Sequence, residues 1–141
     1  MRILKVFVVT MMLLTPGLAF ADYAGDETRK FDWNPVMDAI IQVESSGNAR
    51  AVCGIFAGAM QISPVLVQDC NNILRSRGIN KRYTLADRFS IQKPKEMFVI
   101  IQSYYNPDNN VEKAIRLWNG GHRYNVRKTQ RYYEKVLDNL D

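Results

Sequence analysis

A carboxylate stands where an apolar side chain is due. Trp33, Val36, Met37, Ile40 and Ile41 recur at the spacing of one helix face, and the next member of that series is Glu44. Ser45, Ser46 and Gly47 follow at once and end the helix. Glu44 is therefore expected among core side chains, one turn before the helix stops. Burial disfavours its anion, and so does the negative end of the helix dipole. Positions 40, 41, 47 and 48 hold no Lys or Arg to compensate. A carboxyl so placed keeps its proton towards neutral pH and can then give it away, which is what a general acid needs. Periodicity alone also permits a Glu that turns outward at a fraying helix end.

Other chemistries find less support. The single His122 does not furnish a His-based metal site, and no Cys-x-x-Cys pair exists, so neither a metal nor an organic cofactor is implied. The two cysteines, Cys53 and Cys70, fit a disulfide if the chain is exported. The bridge would close a loop of about 17 residues and contribute about 3 kcal/mol. Two buried free thiols are the alternative. Asp69, Asp87 and Glu96 are the mid-chain candidates for a second carboxyl.

The elements that must position Glu44 read as helices. Residues 1–21 look like a secretory signal peptide: Arg2 and Lys5, an apolar run from Val6 to Leu14, a break at Pro16-Gly17, and Ala19-Phe20-Ala21 before the cleavage point. Export to the periplasm or beyond is expected. Removing that segment lowers the formal net charge from +5 to +3, since it carries two basic residues and no acidic one. A mildly basic chain suits an acidic polymer, or simply solubility. Residues 22–31 read as a flexible polar segment and 32–141 as one domain.

The first helix is expected over Asn34–Ser45, capped by Asn34 with Pro35 in its first turn. A Gly- and Ala-rich loop follows, with no strand-like alternation. Ser63-Pro64 opens a second helix whose inner face is Leu66, Val67, Cys70, Ile73 and Leu74. Residues 81–92 are irregular or one short helical turn. A third helix spans Pro94–Tyr105, with Met97, Phe98, Ile101, Tyr104 and Tyr105 inward. Asn109 and Glu112 read as a capping box for a fourth helix bearing Val111, Ala114, Ile115 and Trp118. The last helix, Lys128–Leu140, turns Tyr132, Tyr133, Val136, Leu137 and Leu140 inward. The class is all-α, a single domain of about five helices.

Four blocks in order carry a family resemblance: ESSGN at 44–48, GAMQISP at 58–64, AIRLWNGG at 114–121 and TQRYYEKVL at 129–137. Together they resemble the soluble lytic transglycosylases (the SLT family), peptidoglycan-cleaving enzymes of the lysozyme-like superfamily. The resemblance spans about residues 33–140. It implies a lysozyme-like fold with Glu44 as catalytic acid and later base. Ser45 and Ser46 would stand at the mouth of the cleft. Met60 and Gln61 would line the floor of a glycan groove, Trp118 and Asn119 would flank Glu44 from across it, and Tyr132 would close that side. Tyr132 and Tyr133 are adjacent, so the choice of Tyr132 rests on the resemblance.

Departures from the family pattern are Ala59 for Leu before Met-Gln, Trp118 for Tyr before Asn, and Gly120 for Ala. An indole N–H only donates, whereas a phenol also accepts.

The implied reaction needs one protein carboxyl where most glycosidases use two. Glu44 would protonate the oxygen between N-acetylmuramic acid and N-acetylglucosamine, and the muramyl 6-hydroxyl would close a 1,6-anhydro ring. A water-consuming muramidase with Asp87 or Asp69 as second carboxyl stays open, as does a non-catalytic wall-binding module. Peptidoglycan strands are the expected partner, not nucleic acid. An envelope-spanning secretion or conjugation machine is a further expected partner for so small a wall enzyme.

Overall fold

The computed structural model describes residues 30–140. The expected leader, and the polar segment up to residue 29, lie outside the described residues. No helix among the described residues is long and apolar enough to cross a membrane.

Among the described residues five helices form, in the order α1 (Asn34–Ser45), α2 (Pro64–Ser76), α3 (Gln92–Tyr105), α4 (Val111–Gly120) and α5 (Val126–Leu137), so the class is all-α. Between α1 and α2 lies a two-stranded hairpin, β1 (Val52–Cys53) and β2 (Phe56–Ala57), paired antiparallel. The sequence reading held no strand there. Strands of two residues are too short for alternation to register. A 3-10 turn, Leu85–Phe89, precedes α3 and matches the expected short turn.

The helix ends follow local chemistry. Ser63 caps α2 by accepting from the Leu66 N–H at 3.2 Å. At α4 the cap is Asn110, one residue later than expected, which accepts from the Lys113 N–H at 2.8 Å. Asn109 instead takes a left-handed turn conformation with φ 53°. Helix α5 starts two residues before the expected Lys128, because Asn125 caps it through the Lys128 N–H at 3.0 Å. It also ends at Leu137, short of Leu140. Helix α3 reaches back to Gln92, since Pro94 is compatible with a first turn. Asn34 does not cap α1; Asp32 Oδ1 instead accepts from the Asn34 backbone and side-chain N–H groups, at 3.0 and 2.8 Å.

The core gathers one face of each helix. Ile40, Cys70, Met97, Phe98, Ile115 and Val136 are buried there, together with Met60 and Ile62 from the loop. Phe98 lies between Trp33 and Trp118, with ring centroids at 5.5 and 5.1 Å. Two residues expected inward face solvent: Tyr104, 53% exposed, and Leu137, 40% exposed. In both cases the adjacent or nearby side chain on the same helix, Tyr105 or Val136, takes the inner position.

The expected Cys53–Cys70 disulfide does not form, and both thiols are free. Cys70 points into the core, where its thiol donates to the Met97 carbonyl at 3.6 Å, while Cys53 is exposed on β1. Burial pushes the Cys70 thiol up to about 12.

Helices α4 and α5 are tied by a buried cation. Arg116 donates to Glu112 at 2.8 Å, to the Val126 carbonyl at 2.8 Å, to Thr129 at 3.2 Å and to Gln130 at 2.6 Å. Its guanidinium also lies 4.4 Å from the Tyr133 ring centre. A buried charge is tolerable only when its donors are met, and here they are.

Candidate active site

Glu44 occupies the last turn of α1 and is half-buried. The Tyr132 hydroxyl, from α5, donates to Glu44 Oε1 at 2.8 Å. The helix-face argument placed Glu44 inward, and the bond to Tyr132 joins two residues that the resemblance singled out. Tyr133, next to it, turns to Arg116 instead.

Two opposed effects act on the Glu44 carboxyl. Burial raises its pKa above the ordinary 4.5, and the weaker effect of the Tyr132 bond lowers it, so the net direction is up. Burial and the Glu44 carboxyl beside it also raise the Tyr132 phenol, which therefore stays a donor. Tyr132→Phe should leave burial unopposed. The Glu44 carboxyl should then titrate at higher pH than in the wild type, as read by carboxyl carbon NMR. The same change should cost about 1 kcal/mol of stability for the lost hydrogen bond. An unchanged or lower titration point would mean that Tyr132 does not act on the acid.

The residues after Glu44 fasten its helix to the loop opposite. Ser45 Oγ donates to the Ala59 carbonyl at 2.7 Å. Ser46 closes the helix in a left-handed conformation, φ 52°, with its backbone N–H on the Gln42 carbonyl at 3.1 Å. Its side chain is exposed.

Met60 is fully buried, so its side chain belongs to the core and not to an open groove floor. Its carbonyl accepts from the Trp118 indole N–H at 3.2 Å. That donor is therefore spent on the loop and does not reach Glu44. Gln61, at φ 50°, turns its amide inward and donates to the Ala51 and Gly58 carbonyls at 3.2 and 2.9 Å. It braces the loop rather than presenting its N–H to a ligand. Asn119 is exposed on α4 and, with Trp118, lines a cavity of about 220 Å³ between α2, α3 and α4. Glu44 lies outside the lining of that cavity.

The three other carboxyls considered are each engaged. Asp87 accepts from Lys93 at 2.9 Å and from the Thr84 N–H at 2.8 Å, which together hold it below its usual range. Glu96 is held low by Lys81 and Tyr83, at 2.8 and 2.7 Å. Asp69 accepts from the Tyr105 hydroxyl at 2.9 Å and lines the cavity. Among the described residues no group of three or more His, Cys, Asp or Glu could hold a metal ion.

Sequence reasoning missed Arg116, which anchors α5 and so places Tyr132. It lies inside AIRLWNGG, three residues after Lys113, and reads as a surface charge. The only signal was its i, i+4 partner Glu112. Comparison with protein-family models, with curated proteins and with solved structures finds no match for the chain.

Proposed function

We propose that the protein is a peptidoglycan lytic transglycosylase with Glu44 as its general acid and base. One observation carries the reading: a half-buried carboxyl at the end of α1, shifted towards its protonated form, whose one oxygen accepts from a tyrosine 88 residues away. With Oε1 taken by Tyr132, the acid's proton belongs on Oε2. Glu44 delivers it to the glycosidic oxygen, and the bond from that oxygen to the muramyl C1 breaks. The departing sugar keeps the proton as a 4-hydroxyl. The muramyl 6-oxygen then bonds to C1 and returns its proton to Glu44. No water is consumed, and the acid ends as it began. The Tyr132 hydroxyl steadies the anion that exists between the two transfers.

Asp87 and Glu96 are each held by a lysine, and neither is poised to act as a free base. Asp69 lines a cavity whose walls do not include Glu44. These placements favour the single-carboxyl route over a muramidase. Export, a glycan-strand substrate and service to an envelope-spanning machine belong to the same proposal.

Mass spectrometry of the soluble products from purified peptidoglycan tests it. Anhydro-muropeptides, one water lighter than hydrolysis products, are expected. Hydrated, reducing products would mean a muramidase. A folded protein that sediments with the wall and releases nothing would mean a binding module.

A further inference from the structure

The cavity beside Trp118 does not stand alone. Asp69 and Tyr105 also line a second hollow of about 100 Å³, with Asn72, Ser76 and Tyr104 among its other walls. Tyr105 and Asp69, joined by a hydrogen bond of 2.9 Å, border both. On α2 the lining runs along one helical stripe, from Val65 and Leu66 through Asp69 to Asn72, Ile73 and Ser76. Eleven helical steps advance roughly 16 Å, about the length of four or five extended residues. We take the two hollows together as a furrow along α2 and the end of α3, the larger also walled by α4.

Its chemistry is one-sided. Among the described residues Asp69 is the only carboxylate in the lining, and no Lys or Arg joins it, in a chain whose formal net charge is +5. The Tyr105 hydroxyl bonds Asp69 Oδ2, while Oδ1 has no donor among the described residues. The His122 ring lies flat on Tyr105, centroids 4.9 Å apart and planes within 9°, and fixes that wall. Leu66, Ile101 and Leu117 supply an apolar bed, and Asn119 and Asn72 bring amides at either end. A carboxylate with a spare oxygen above an apolar bed suits an ammonium on an aliphatic stem.

We propose that this furrow binds a short peptide through a primary ammonium group seated on Asp69. Resting on the function proposed above, that ligand is the peptide branch of peptidoglycan, with the side-chain amine of its diamino acid on Asp69 Oδ1. The furrow then selects wall strands by their peptides, while Glu44 acts on the sugars.

Calorimetry with a synthetic branch tripeptide ending in a diamino acid tests the assignment. The peptide should bind. Acetylating its side-chain amine should weaken binding by about tenfold or more, the worth of a charged hydrogen bond. Asp69→Asn keeps an acceptor for Tyr105; it should weaken the free-amine peptide equally and leave the acetylated one unchanged. Equal binding of the two peptides, or no binding of either, overturns the proposal. If Asp69→Asn fails to fold, the two peptides on the wild-type protein still decide. Peptide binding breaks no glycosidic bond, so its result is independent of the product assay. Amine-selective binding without anhydro products would keep the furrow and remove the transglycosylase reading, and the reverse result would do the opposite.

Discussion

Glu44→Gln is expected to lower the release of soluble muropeptides by about 10²- to 10⁴-fold, the usual contribution of a positioned acid. The substitution is conservative in every other respect. Gln keeps the volume and keeps an oxygen for the Tyr132 hydroxyl, now 2.8 Å from Glu44 Oε1. It removes the transferable proton and the ability to ionise. A variant that stays within tenfold of the wild type would show that the proton comes from elsewhere. The same variant should carry a stability signature of opposite sign. The folded state raises the Glu44 pKa above 4.5 because burial penalises the anion. A group with a raised folded pKa contributes fully below its unfolded pKa, and that contribution is lost as pH rises through the folded value. As pH rises above the ordinary carboxyl value the wild type therefore loses a contribution that the Gln variant, with no titrating group, keeps. Thermal melting should place Glu44→Gln above the wild type at pH 7. The gap should close in acid, below the ordinary carboxyl value. A gap that persists there would assign it to packing instead.

Gly58→Ala should destabilise the fold by about 3–5 kcal/mol, combining left-handed strain with overpacking. Gly58 has φ +82°, and a Cβ there would lie 1.8 Å from the Arg88 carbonyl oxygen. Neither side can retreat. The Gly58 N–H is bound to the Ala51 carbonyl at 2.8 Å, and its own carbonyl accepts from the Gln61 backbone and side chain at 3.1 and 2.9 Å. The Arg88 guanidinium is in turn bonded to the Ile55 and Ile62 carbonyls, both at 3.1 Å. Gly54→Ala is the control. Its φ is +59°, but nothing lies within 4 Å of a Cβ there, so only the backbone cost of about 1–2 kcal/mol remains. Urea denaturation of the pair separates steric clash from backbone strain. Equal losses would mean that the 58–88 contact yields easily. The loop at risk supplies the Ala59 and Met60 carbonyls that hold Ser45 and Trp118, so the loss should extend to the acid's surroundings.

How much of this was legible before folding depends on the reach of each determinant. The helix bearing Glu44 was legible because its apolar spacing is a local pattern, and the acid falls on the same stripe. Helix α2 was legible for the same reason, with Ser63-Pro64 marking its start. Caps were legible only in part. With Asn109 and Asn110 adjacent, either could cap α4, and the choice falls to the turn that the buried Asn106 holds through the Asn110 N–H and carbonyl, at 3.1 and 2.8 Å.

The disulfide expectation failed because cysteine count and compartment say nothing of direction. One thiol faces the core and the other solvent. The hydrogen bonds of Met60, Gln61 and Trp118 were not legible for a related reason. Their backbone and amide groups satisfy one another across 10 to 58 residues of sequence, and no local pattern records that. Asp69 was weighed only as a second acid, since its pairing with Tyr105 joins α2 to the end of α3.

The bond between Tyr132 and Glu44 spans 88 residues of sequence. Its two halves are brought together only by long-range closure, which pays its entropy before any contact returns it. The acid and its partner therefore cannot be inherited by a fragment. A premature stop between them leaves Glu44 without Tyr132. On the function proposed above, wall cleavage would thereby be confined to a chain long enough to hold both residues.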